Sequence, residues 1–193
     1  MAFALLSLVL VLAAFALMLG YTIRTGISPV PTTPRVAAEI FAACPPESLI
    51  PPEAGNVVYE LGSGWGNLAM ALAKRFPERA VVGYELSPLP WLVSRLLLRL
   101  RPRPNLALHR ADFMAADLSD AALVVCYLYP GAMRRLREKL ERELPADALV
   151  VSNAFLVPGW QPNSVRHAAD QYETAVYLYR MPPEPESELT VAP

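Results

Sequence analysis

Glu60-Leu61-Gly62-Ser63-Gly64-Trp65-Gly66 sets three alternating glycines between a β-branched run at 56–61 (NVVYEL) and a helical pattern at 67–76. Glycine lacks the Cβ that blocks sharp turns and close approach, so a chain leaving a strand in this way passes its backbone close beneath a ligand. Open α/β sheets bind ligands at that place, outside the carboxyl ends of their strands. The spacing is not that of a dinucleotide fingerprint, because the third glycine position of G-x-G-x-x-G, counted from Gly62, falls on Asn67.

Strand and helix periods alternate on both sides of this motif. Further strands are expected at 80–85 (AVVGYE), 106–110, 121–129 (AALVVCYLY) and 148–155. Helices are expected at 35–43, 89–101 and 131–144. Near-continuous apolar strands separated by helices predict an α/β fold with a doubly wound, mostly parallel sheet covered on both faces. Only Asp170 and Gln171 separate the runs at 164–169 and 172–181. That gap is too short for a crossover helix, so a terminal antiparallel hairpin is expected. The tail 182–193 (PPEPESELTVAP) is acidic and proline-rich, the composition of a disordered segment.

The chain is 54% hydrophobic, above the roughly 45–50% of soluble domains, and the excess sits largely at the N-terminus. Residues 1–22 carry no charged side chain, and as a helix they would reach roughly 33 Å, enough to cross a hydrocarbon core. This predicts one transmembrane anchor at 1–22, a linker at 23–34 and a folded domain at 35–181. Arg24 and Arg35 follow the run and no basic residue precedes it, which by the positive-inside rule puts the domain on the cytoplasmic side of a single-pass membrane protein. The absence of an arginine-rich presequence favours a bacterial plasma membrane over a mitochondrial inner membrane.

A formal net charge of -1 supplies no broad positive field, so a nucleic-acid partner is not expected. Cys44, Cys126, His109 and His167 stand apart without metal-ligand spacing, and no metal is expected.

The E-x-G-x-G-x-G pattern resembles the first motif of class I S-adenosylmethionine-dependent methyltransferases, a Rossmann-like family whose loop approaches the amino-acid portion of the cofactor. The resemblance implies that Glu60, Gly62, Ser63, Gly64 and Gly66 bind S-adenosylmethionine. Glu85, a little over twenty residues further on, ends a strand where a carboxylate accepts hydrogen bonds from both ribose hydroxyls. The family places an acidic residue against the adenine amino group and an apolar neighbour against the ring, which assigns Asp112 and Phe113.

A narrower resemblance runs through VPTTP at 30–34, VVYELGSGWGNLAMALAKR at 57–75, VVGYELSP at 81–88, KLERELPADALVVSNAF at 139–155 and GW at 159–160. These stretches are similar to the membrane-bound protein-lysine methyltransferases of the ATP synthase c-subunit and the adenine nucleotide translocase. The likeness departs at Trp65-Gly66-Asn67, where that family typically has Asp-Gly-Arg, and at Ser87, where it has Asn. It implies that Thr32 and Thr33 fold back over the cofactor's methionine end, and it adds Leu86 beside Glu85 to the cofactor site. Tyr127 and Tyr129 match the position where many members line the acceptor site. As alternate residues of one strand they are expected to share a face.

The resulting expectation is methyl transfer to a lysine of a membrane protein, with the lipid bilayer as a second partner through the N-terminal helix. Methylation of a lipid or small hydrophobic acceptor, and a noncatalytic cofactor-binding membrane protein, are the alternatives.

Overall fold

The β-branched and apolar runs form the strands, and the carboxyl ends of the five parallel ones meet along one edge of the sheet. The computed structural model describes residues 2–25, 30–49, 51 and 55–185, with several side chains of the first helix outside that description. In chain order the elements are α1 (Ala2–Thr25), α2 (Pro34–Ala43), β1 (Val57–Leu61), α3 (Asn67–Arg75), β2 (Ala80–Tyr84), α4 (Pro88–Leu100), β3 (Leu106–His109), β4 (Ala121–Cys126), α5 (Pro130–Glu143), β5 (Leu149–Asn153), β6 (Trp160–Gln161), β7 (Ser164–His167), β8 (Ala175–Arg180) and β9 (Glu184–Pro185).

Seven strands make one sheet in the order β3-β2-β1-β4-β5-β8-β7. The first five pair in parallel, and β8 joins β5 and β7 antiparallel. The mostly parallel sheet and its antiparallel finish are thus as the periodicity predicted. Every residue of β4 is buried, because helices cover both of its faces; this is why its sequence reads as an unbroken apolar run. One core includes Ile40 of α2, Leu72 of α3 and Leu123 of β4. The opposite one includes Met133, Leu136 and Leu140 of α5 with Trp160 and Tyr179. Each large aliphatic side chain so buried contributes about 1.5–3 kcal/mol.

Two of the stretches that carry the family resemblance meet on that second face. Trp160 Nε1 donates to Glu141 Oε1 at 2.8 Å, and Arg137 Nε donates to the same oxygen at 2.8 Å. These partners hold the Glu141 carboxyl below the usual range. Beyond β8 the chain does not leave the domain at once: β9 pairs antiparallel with β6, and residues 186–193 lie outside the described residues.

The N-terminal expectation is corrected. Residues 2–22 are helical within α1, but among the described residues no helix is long and apolar enough to cross a membrane. The single-pass anchor, bilayer contact through it, and the membrane localisation with a cytoplasmic domain all rested on that span and fall with it. Length and freedom from charge are necessary for a span but do not suffice for one; among its described residues α1 touches the domain at α4 while Phe3, Leu5 and Leu12 stay exposed.

Candidate active site

The strand order reverses at β1, with β2 on one side and β4 on the other, and a cavity of about 300 Å³ opens at the carboxyl ends of these strands. The volume lies at the lower end of the ~300–1,000 Å³ usual for small-molecule sites.

The glycine loop forms its floor. Gly62 and Ser63 donate their N–H groups to the Tyr84 carbonyl at 2.9 and 2.8 Å, and Gly66 donates to the Ser63 carbonyl at 2.8 Å. Gly62, Gly64 and Gly66 have φ of 81°, 52° and 80°, the left-handed region that side-chain-bearing residues adopt at a cost. Gly62, Ser63 and Gly64 line the cavity, whereas Gly66 does not. A Cβ on Gly66 would lie 2.7 Å from Ser94 Cβ, so this glycine lets α4 approach the loop closely.

Glu60, Glu85 and Asp112 all line the cavity, and the first two differ in their hydrogen bonding. Glu85 lies one residue past β2; its Oε2 accepts from Gly64 N–H at 2.8 Å and its Oε1 from Ser87 N–H at 2.7 Å. Each oxygen keeps a lone pair for a further donor. Glu60 is only 5% exposed, and its Oε2 has no hydrogen-bond partner among the described residues. Burial, joined by the negative charge of Glu85, pushes its carboxyl well above the ordinary value, against a lowering hydrogen bond from the Ala69 backbone. Ser63 Oγ is a second buried atom here without a partner among the described residues.

The remaining expected residues divide. Thr32, Leu86, Asp112 and Phe113 all reach the cavity. Asp112 also caps the short turn after β3, its Oδ1 accepting from Met114 N–H at 2.9 Å. Thr33 does not reach the cavity; it is the N-cap of α2, its Oγ1 accepting from Val36 N–H at 3.3 Å. Helix α2 is pinned to the end of the sheet by Arg166–Glu39 at 2.7 Å and by Arg35 Nη1 donating to the Ala169 carbonyl at 2.7 Å. That anchoring brings Val30, Pro31 and Thr32 over the opening.

Tyr127 and Tyr129 both line the cavity, but not as alternate strand residues. β4 ends at Cys126, and Tyr129 occupies the N-cap position of α5, whose first residue is Pro130. Tyr127 stacks on Phe155 with centroids 6.1 Å apart. Gly131 makes room for Tyr129, since a Cβ there would sit 2.5 Å from Tyr129 Cε2. Trp65 and Asn67, where the family resemblance departs, also line the cavity.

Sequence reasoning missed two polar lining residues, Arg135 and Asn153. Arg135 falls three positions after Ala132 on α5, a helical spacing that puts both on one face. Asn153 is a polar end to the apolar strand LVVSN, the available signal that this position serves a site.

A family model described as the ANTKMT methyltransferase domain matches residues 60–164. Adenine nucleotide translocase lysine N-methyltransferase of Mus musculus is 38% identical over 121 residues, covering 61% of this chain and 51% of that protein. The chain therefore spans about half the length of the mouse protein. A protein-lysine N-methyltransferase of Saccharolobus islandicus (strain REY15A) is 30% identical over 128 residues, covering 64% of this chain and 78% of that protein. Among solved structures, an RNA methyltransferase from Salinibacter ruber in complex with S-adenosyl-L-homocysteine superposes with a TM-score of 0.67 at 26% identity, covering 83% of this chain and 99% of that one.

Proposed function

The chain belongs to the ANTKMT methyltransferase domain family, and from that premise we propose that it transfers a methyl group from S-adenosylmethionine to a lysine side chain of a protein. The observation that carries the reading is the cavity at the strand-order reversal, where Glu60 Oε2 and Ser63 Oγ are buried without partners among the described residues beside the already oriented Glu85 carboxylate. Unpartnered acceptors and a glycine floor suit a cofactor that brings a charged amine, a ribose diol and a flat base. When bound, S-adenosylmethionine supplies a methyl group activated on a sulfonium.

The chain's own residues do the rest. Glu60, Gly62, Ser63, Gly64, Glu85 and Leu86 hold the cofactor, Asp112 and Phe113 border its base, and Thr32 closes the methionine end. Gly66 and Thr33 act at one remove, by packing the loop against α4 and by capping α2. Holding the amine at attack distance accounts for most of the rate, and no covalent intermediate is needed. The amine must be neutral to attack, and the apolar walls, among them Val125, Leu128 and Ala132, favour that form because burial lowers a lysine pKa. The Tyr127 and Tyr129 rings steer the cation as it enters, and their hydroxyls take its hydrogen bond.

The mouse relative is named for a lysine of the adenine nucleotide translocase, which supports a membrane protein as the substrate. The fold neighbour named for RNA supports a nucleic acid instead, and the formal net charge of -1 weighs against it.

Mass spectrometry of proteins from cells with and without the gene tests this. A lysine methylation lost on deletion, restored by the wild-type gene and not by Glu85→Ala, is the expected result. Methyl groups lost from RNA or lipid alone would overturn it.

A further inference from the structure

We propose that the side-chain carbonyl of Asn153 is the hydrogen-bond acceptor that holds the incoming amine of the methyl acceptor, an assignment that rests on the lysine-methyltransferase reading of the cavity and adds a substrate-binding residue to it. Asn153 ends β5, and the parallel register that pairs Cys126 with Ser152 sets it beside Tyr127 at the carboxyl edge of the sheet. It is 5% exposed, lines the cavity, and its Oδ1 is buried with no hydrogen-bond partner among the described residues. Buried carbonyls are rarely left so unless a ligand satisfies them.

The backbone around it is held tightly. Phe155 N–H donates to the Asn153 carbonyl at 2.9 Å and Ala154 N–H to the Ala175 carbonyl at 2.8 Å. Ser152 Oγ donates to the Phe155 carbonyl at 2.5 Å. Ala154 is thereby kept at φ 65°, a conformation unfavourable for a residue with a Cβ, of the kind that persists where surrounding bonds over-determine it and that clusters at functional sites.

The chemistry of the group matches an amine. A carbonyl oxygen only accepts, so its partner brings N–H or O–H donors. Being uncharged, it orients the amine without stabilising the ammonium form as a carboxylate would, and the nitrogen lone pair stays available for attack. The carboxylates of the cavity, Glu60, Glu85 and Asp112, belong to the β1, β2 and β3 ends that hold the cofactor, so the acceptor end offers Asn153, two phenols and the Arg135 guanidinium, which only donates and leaves the accepting role to the others.

The test uses the full chain with tritiated S-adenosylmethionine, proteins from the gene-deleted cells as acceptors, and methyl-lysine recovered after hydrolysis. Asn153→Ala should lower lysine labelling about tenfold, the effect of one lost hydrogen bond, with S-adenosylhomocysteine affinity within about twofold of wild type. Asn153→Asp, nearly isosteric, should shift the rate profile to higher pH because its carboxylate stabilises the ammonium. Wild-type labelling by Asn153→Ala, a parallel loss of S-adenosylhomocysteine affinity, or an unmoved profile in Asn153→Asp overturns the assignment alone. A wild-type enzyme that labels no lysine overturns the function and the assignment together.

Discussion

Gly64 N–H donates a 2.8 Å hydrogen bond to Glu85 Oε2 across 21 residues of sequence. The bond ties the glycine loop after β1 to the end of β2, and a second one from Ser87 N–H at 2.7 Å fixes the other carboxylate oxygen. One side chain thus shapes the loop and presents the remaining lone pairs to the cavity.

Glu85→Ala removes both bonds together with the lone pairs left for a ligand, and a hydrogen bond to such a charged group is worth about 1.5–3 kcal/mol. S-adenosylhomocysteine affinity measured by calorimetry should fall about 10- to 100-fold or more. Glu85→Gln, which keeps one accepting oxygen, should fall in between. An affinity unchanged in both variants would remove Glu85 from the cofactor site.

Gly66→Ala is expected to act on stability first. Its φ of 80° and the 2.7 Å approach to Ser94 Cβ combine backbone strain with overpacking, a loss of about 1–3 kcal/mol. Urea denaturation should show it without cofactor present, because Gly66 does not line the cavity.

Gly131→Ala should separate activity from stability. Alanine at a helical position gains roughly 1 kcal/mol over glycine, yet the added Cβ sits 2.5 Å from Tyr129 Cε2 and displaces that ring. Turnover is expected to drop several-fold while the melting temperature holds or rises. Full turnover with Tyr129 displaced would take this tyrosine out of the acceptor site.

Glu60 makes stability depend on pH in the direction opposite to a salt-bridged carboxylate. Its folded-state pKa is raised by burial and by Glu85, so its contribution is fully present below the unfolded carboxylate value and is lost as pH rises through the folded one. Glu60→Gln lacks that loss. The difference in urea stability between the Glu60→Gln variant and wild type should grow with pH over this window, by at most about 1.4 kcal/mol per pH unit, and be flat below it.

Particular residues mark how far the sequence reads. The switch of period and the glycine spacing are local properties of the chain, so the parallel sheet, the loop and the lone carboxylate Glu85 were legible without coordinates. The reach of the fourth strand was not: Tyr127 and Tyr129 have strand propensity, but Pro130 starts α5 and β4 stops at Cys126. Asn153 was overlooked because its one local signal, a polar residue ending an apolar strand, is shared with strand ends that meet solvent.

The sequence by itself determined the order of elements, the sheet's mostly parallel character and the place of the glycine loop that lines the candidate cavity. Hydrophobic period and glycine freedom act over a few residues and need no distant partner. Tertiary structure alone decided that Gly66 serves packing against Ser94, that Thr33 caps α2 while Thr32 enters the cavity, and that α1 touches α4. Each of those outcomes depends on which groups, far apart in the chain, come within contact distance, and contact across the fold is set by packing that no local pattern encodes.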